Sequence, residues 1–184
     1  MAVPVARRLF TVEEFQRMGE AGVFPEGDRV ELLDGEIVEL SPIGDPHRTS
    51  VMMLTTRFGA LVAGRALVSC QNPVDLGRVT QLYPDLALLA PLPEVYRTRG
   101  NTPEDVFLVV EVADTSLAYD RAKLARYARA GIREAWIVNL NDEVVEVYRE
   151  PQGDEYARRT RAHRGEHVTP AAFSDIVIAV ADVL

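Results

Sequence analysis

Eight consecutive residues, Val106-Phe107-Leu108-Val109-Val110-Glu111-Val112-Ala113, set the narrowest limit on how this chain can fold. A nearly unbroken apolar run of this length predicts a strand covered on both faces, which requires packed layers above and below a central sheet. Glu111 is the exception within it. A carboxylate at such a position costs several kcal/mol unless it is paired or binds a cation.

The segments around that strand supply the layers. Thr11 and Glu14 form a potential capping box opening a helix that runs to about Met18. Arg29–Leu33 and Glu36–Leu40 predict a hairpin, because Asp34-Gly35 is a strong two-residue turn signal. Apolar positions Val51, Leu54, Phe58, Leu61 and Val62 recur at helical spacing within a predicted helix from His47 to Ala63. Strands are predicted at Ala66–Cys70 and Asp85–Leu89, with an extended piece at Pro73–Leu76 between them. A second long helix spans Leu117–Ala130 and stops at Gly131, a residue suited to the position after a helix end. Glu134–Leu140 and Glu143–Tyr148 predict a hairpin around Asn141-Asp142, and Glu155–Arg159 and Ile176–Val180 predict peripheral strands. The expected fold class is mixed α/β: a central mixed sheet flanked by helices, with extra hairpins, as one domain over residues 1–184.

The chain has 20 basic side chains, and Lys123 is the sole lysine among them. An ammonium is a compact point charge whose pKa can be moved, whereas a guanidinium stays charged. The plain alternative is a surface lysine. Its neighbourhood is suggestive: Glu111 lies upstream, and Asp85 follows Pro84 and leads into Leu86-Ala87-Leu88-Leu89. Two carboxylates from neighbouring core strands supply the hard oxygen ligands that Mg²⁺ or Mn²⁺ prefers, and the backbone carbonyl of Val112 could complete the set. Asp120 and Lys123 share a helix face, which Tyr127 continues. Taken as residue types alone, salt bridges from Asp85 and Glu111 to arginines account for the pattern equally well.

The ordered set Pro84-Asp85, Glu111-Val112-Ala113 and Asp120-Arg121-Ala122-Lys123 resembles the PD-(D/E)XK nuclease superfamily. More narrowly, the chain resembles the Uma-two family of restriction-endonuclease-like proteins. The matching text is Val30 to Pro42 with His47 after it, then Tyr83-Pro84-Asp85, Val109 to Val112, Lys123 to Tyr127, and Gly131 to Val138. One departure stands out: the superfamily places a lysine two positions after the glutamate, where this chain has Ala113, and the Uma-two type places it on the next helix, where Lys123 stands. The resemblance implies a restriction-endonuclease-like core and a Mg²⁺- or Mn²⁺-dependent endodeoxyribonuclease. Asp85 and Glu111 would hold the ion, Glu31 would support it, and Lys123 would orient the attacking water. His47 and Gln71 would assist, Arg121, Arg126 and Arg129 would contact backbone phosphates, and a homodimer would serve both strands of DNA. Alanine at Asp85, Glu111 or Lys123 would then abolish cleavage and leave the fold intact. The rival is a nuclease-like fold that no longer cuts and acts as a nucleic-acid-binding or regulatory module.

Composition bears on these readings in two ways. The net charge of −8 opposes loose binding to polyanions, although arginines cluster at 121–133 and again at 158–164. The single cysteine, Cys70, fits a reducing cytoplasm, Arg7-Arg8 leads into a polar helix rather than a signal peptide, and no membrane span is expected. His163 and His167 lack a third ligand nearby, Trp136 reads as core, and no nucleotide-phosphate loop or GxSxG elbow occurs.

Overall fold

The computed structural model describes residues 6–184. The first helix, α1 (Val12–Glu20), starts at the expected capping box: the Glu14 amide donates to Thr11 Oγ1 at 3.2 Å, and the Thr11 amide donates to Glu14 Oε2 at 2.9 Å. Strands β1 (Val30–Leu33) and β2 (Glu36–Glu39) pair antiparallel. Asp34 and Gly35 between them both take positive φ, 51° and 83°, the turn whose twist suits a tight hairpin. A Cβ on Gly35 would meet Leu9 Cβ at 2.7 Å, so this glycine also lets the N-terminal segment lie against the turn.

Helix α2 (Asp45–Leu61) follows, then β3 (Leu67–Cys70), β4 (Val74–Asp75), β5 (Gln81–Leu82) and β6 (Leu86–Leu89). A short helix α3 (Pro93–Tyr96) and a 3₁₀ turn at Pro103–Asp105 precede β7 (Val106–Ala113). Helix α4 (Leu117–Arg129) then leads to β8 (Glu134–Asn139), β9 (Val144–Gln152), β10 (Glu155–His163), β11 (His167–Val168) and β12 (Ile178–Ala179). Two expectations need correction. Strands β9 and β10 are longer than predicted and form one hairpin, because β10 is an arginine-rich edge strand whose apolar alternation is too weak to read. Of the predicted Ile176–Val180 strand only Ile178 and Ala179 pair, with β11.

The main sheet has the order β10-β9-β8-β7-β6-β3. Strands β7 and β8 are parallel and the other pairs antiparallel, so the sheet is mixed, and α4 is the crossover that parallel neighbours require. A smaller sheet, β2-β1-β5-β4, carries the first hairpin. Alternation along β7 explains the layering. Leu108, Val110 and Val112 join Leu54, Phe58 and Val62 of the α2 layer, while Val109 and Ala113 join Leu124 and Tyr127 of the α4 layer. Trp136 is fully buried in the α2 layer, its ring 5.9 Å from Phe58, so it belongs to the core as predicted. Among the described residues no helix is long and apolar enough to cross a membrane.

One clamp outside the sheet is testable. Asp105 accepts from Arg99 through both oxygens, at 2.6 and 2.9 Å, and from the Thr102 amide at 3.1 Å. The Arg99 hydrogen bonds hold its carboxyl down at about 2. Ionised Asp105 therefore stabilises the fold above the ordinary aspartate range, and that contribution is lost as pH falls toward about 2. Arg99 is partly exposed, so solvent screens the pair and Asp105→Asn should cost about 1 kcal/mol at pH 7. Urea denaturation should show wild type and variant converging as pH is lowered through 4 to 2. A constant gap over that range would refute the linkage.

Candidate active site at the ends of the central strands

Glu111 lies near the end of β7 and, by the alternation above, faces α4. Asp85 sits one residue before β6, and continuing the antiparallel register of Leu86 with Val110 places it across from Glu111. Glu31 projects from β1, and its whole residue is shielded from solvent. Lys123 comes from the second turn of α4 and is 2% exposed, which rules out a surface lysine. Its Nζ lies 2.7 Å from Glu111 Oε1 and 3.1 Å from Glu31 Oε1. The structure thus brings together Glu31, Asp85, Glu111 and Lys123 from four separate elements.

Each carboxylate is held by further donors. Asp85 Oδ2 accepts from the Val112 amide at 2.9 Å and lies 3.0 Å from His47 Nε2; Gln71 Nε2 reaches Asp85 Oδ1 at 3.4 Å. Val112 therefore enters through its N–H, as a donor to Asp85. Tyr127 donates to Glu111 Oε1 at 2.5 Å. Tyr119 donates to Glu31 Oε2 at 2.6 Å, and the Tyr83 amide to Glu31 Oε1 at 2.7 Å. Tyr119 and Tyr83 went unassigned in the sequence. Tyr119 could have been found, since it lies four residues before Lys123 on the same helix face. The Tyr83 contact is made by backbone and leaves no trace in residue type.

The site is crowded with acids. Asp120, held by the Ser116 hydroxyl at 2.5 Å, is a fourth carboxyl group around the one lysine. Burial pushes Glu111 upward against the opposing pull of Lys123, with Asp120, Asp85 and Glu31 adding to the rise. Burial likewise raises Asp120 to about 6. Burial also acts to raise Asp85, but the His47 hydrogen bond and the Val112 amide reverse this and hold it below the ordinary range. For Lys123, burial favours the neutral amine, and Glu111 and Glu31 more than reverse it.

Asp85, Glu111, Asp120 and Lys123 line an open cleft of about 380 Å³, together with Tyr119, Arg29 and the loop from Ser41 to Gly44. His47, at the start of α2, lines it too, and its buried Nδ1 has no partner among the described residues. The three arginines expected at backbone phosphates are each engaged by an acid. Arg126 bonds Asp34, Arg129 bonds Asp154, and Arg121 bonds the buried Glu146 at 2.6 Å. None of the three lines the cleft, because each guanidinium is held by an acid outside it.

The donor set suits a hard divalent cation. Two carboxylates with an excess of negative charge face the cleft, and Glu111 Oε2 has no hydrogen-bond donor among the described residues. No group of three or more His, Cys, Asp or Glu side chains among the described residues is disposed to hold a metal. Mg²⁺ is commonly held by one or two carboxylates, with water and substrate phosphate completing its shell.

Lys123 at this depth overturns the expectation that its removal leaves the fold untouched. Lys123→Met would strand Glu31 and Glu111 without their cation, and breaking a buried pair costs about 3–5 kcal/mol. A fall in urea-unfolding free energy of that size is expected at pH 7, and an unchanged midpoint would contradict the ion-pair assignment.

Comparison with known proteins gives a family and a fold. The model of the Uma2 family, described as "Putative restriction endonuclease", matches residues 12–181. The chain is also similar to a crystal structure of "a putative nuclease belonging to DUF820" from Anabaena variabilis ATCC 29413. The TM-score is 0.74 at 15% identity, over 95% of this chain and 97% of that one, which is a likeness of fold. No curated protein matches the chain.

Proposed function

This chain belongs to the Uma2 family, and from that premise we propose that it is a metal-dependent endodeoxyribonuclease hydrolysing phosphodiester bonds. The observation that carries the reading is the meeting of Asp85, Glu111 and Lys123 at one cleft, with Lys123 held in a defined position by Glu31.

Asp85 and Glu111 would hold Mg²⁺ or Mn²⁺, with the Val112 carbonyl as a further candidate ligand. When bound, the ion would polarise the scissile phosphate and lower the pKa of a water molecule. The chain's own groups do the positioning. Tyr127 fixes Glu111, and His47, Gln71 and the Val112 amide fix Asp85. Glu31 spends its oxygens on Lys123, Tyr119 and the Tyr83 amide, so its role is to aim the lysine. Lys123 would orient the attacking water and offset charge growing on the phosphoryl oxygens. Arg29, on the cleft wall, is placed to meet an adjoining phosphate. The attacking water would release a proton to solvent at the open cleft as its oxygen bonds to phosphorus; the bond from phosphorus to the leaving oxygen would break, and that oxygen would take up a proton from solvent. A homodimer would present two sites to a duplex, each copy folding as one domain over residues 1–184 in the cytoplasm.

A second reading has its own observation. Lys123 is engaged by two glutamates, which suits a nuclease-like module that binds nucleic acid without cutting it. Nicking of supercoiled plasmid by the purified protein in Mg²⁺ or Mn²⁺ separates the two. Cleavage should fall in Asp85→Asn and in Glu111→Gln by more than about a hundredfold, the upper range seen when even outer partners of metal ligands are removed. Both isosteric changes spare the packing, so a folded wild type that never nicks plasmid would favour the binding module.

A further inference from the structure

Glu146 and the arginines around it form the most unequal charge cluster outside the cleft. Glu146, on β9, is fully buried, yet three guanidinium groups converge on it. Arg121 from α4 reaches Oε1 at 2.6 Å, Arg161 from β10 reaches it at 3.1 Å, and Arg159 reaches Oε2 at 2.9 Å. Tyr148 donates a further hydrogen bond to Oε2. One guanidinium would neutralise the carboxylate. Three leave a surplus of two positive charges, and each of these arginine side chains is between 38% and 48% exposed.

The surplus is local and directed. Arg126, Arg129 and Arg164 are each matched by an acid, Asp34, Asp154 and Glu143 respectively, whereas Arg121, Arg159 and Arg161 share the one carboxylate of Glu146. The ladder register gives its place relative to the cleft. Glu111 pairs with Ile137, Ile137 with Glu146, and Glu146 with Arg161, so all four lie in one row across the sheet. At ~4.8 Å per strand the row places Glu146 ~10 Å and Arg161 ~14 Å from Glu111. Residues Thr115 to Asp120, at the start of α4, line the cleft, and Arg121 stands on the other flank of that same turn.

We propose that Arg121, Arg159 and Arg161 form a docking track for the phosphodiester backbone of the nucleic acid whose scissile phosphate occupies the cleft. This rests on the function proposed above. At ~3.4 Å of axis per nucleotide, the track engages phosphates about four steps from the cut. Glu146 acts as a keel: it fixes three long side chains in one array before the polyanion arrives, so less side-chain entropy is lost on binding. The phosphates take N–H groups that Glu146 leaves unused. On a chain of net charge −8, a confined array of this kind directs a polyanion to one face without making the whole surface sticky.

The test is anisotropy of a labelled 30-base-pair duplex with the full chain in EDTA, where no cleavage occurs, over a salt series. The double variant Arg159→Gln/Arg161→Gln keeps Arg121 to neutralise Glu146, and circular dichroism and thermal unfolding check its fold. The slope of log affinity against log salt should flatten by about 1.8, two duplex phosphate contacts at ~0.9 each, with affinity at low salt falling about tenfold or more. A second variant, Arg161→Gln alone, should flatten the slope by about 0.9, half of the double variant's change. Folded variants with wild-type affinity and slope would overturn the track and leave the arginines as counterions to Glu146. Wild-type protein that binds no duplex but retains labelled poly-glutamate through Arg159 and Arg161 would overturn it in favour of an acidic polypeptide partner. Duplex binding that needs the arginines, in a protein that never nicks plasmid, would uphold the track while the nuclease reading fails.

Discussion

A buried ammonium between two buried carboxylates organises this molecule. Lys123 Nζ ties β1, β7 and α4 at one point through Glu31 and Glu111. No pair of these elements is adjacent in sequence except β7 and α4. The small sheet of the first hairpin is thereby fixed against the main sheet, and with it the wall of the cleft. Desolvating three charges is expensive, and the loss is offset only where geometry is good and the remaining lone pairs are filled. Tyr119 and the Tyr83 amide fill those of Glu31, Tyr127 adds a second donor to Glu111 Oε1, and Glu111 Oε2 is left without a donor among the described residues.

That constraint makes sense of the apolar frame. The two layers packed on β7 differ in character: the α2 face is mainly hydrocarbon, reinforced by Phe173, Ile176 and Val180 from the C-terminal segment, with buried Glu134 held there by Trp136 and Arg149. The α4 face carries the acids and the tyrosines among its apolar residues. One side of the sheet thus supplies the burial that stabilises the fold, and the other carries the polar groups whose burial works against it. Glu111 tolerates its position because the strand beneath it is anchored from behind.

Arginine use follows the same division. The abundant guanidinium groups pair with acids on the surface or over Glu146, where their size and fixed charge are no obstacle. The single site where a positive charge must fit between two enclosed carboxylates takes the one lysine, a compact head on a flexible stem. A rarity in composition marked a residue whose environment excludes the commoner choice.

Much of this was legible in the residues and some was not. The β7 run, the Asp34-Gly35 turn, the Thr11 capping box and the Gly131 stop announced their structures, because each rests on local sterics, hydrogen bonding or periodicity. The order of Asp85, Glu111 and Lys123 named the candidate cluster. The β9–β10 hairpin escaped because an arginine-rich edge strand has one solvated face and little alternation to detect. The directions of Arg121, Arg126 and Arg129 escaped as well: a helix position fixes a bearing, but the acid that captures a long flexible side chain comes from elsewhere in the chain. The sequence by itself determined where the apolar strands and helices had to form and which charged residues stood within or beside them. Only the tertiary structure decided which charges meet, because Glu31 and Lys123 are 92 residues apart and their contact depends on how two sheets and a helix pack.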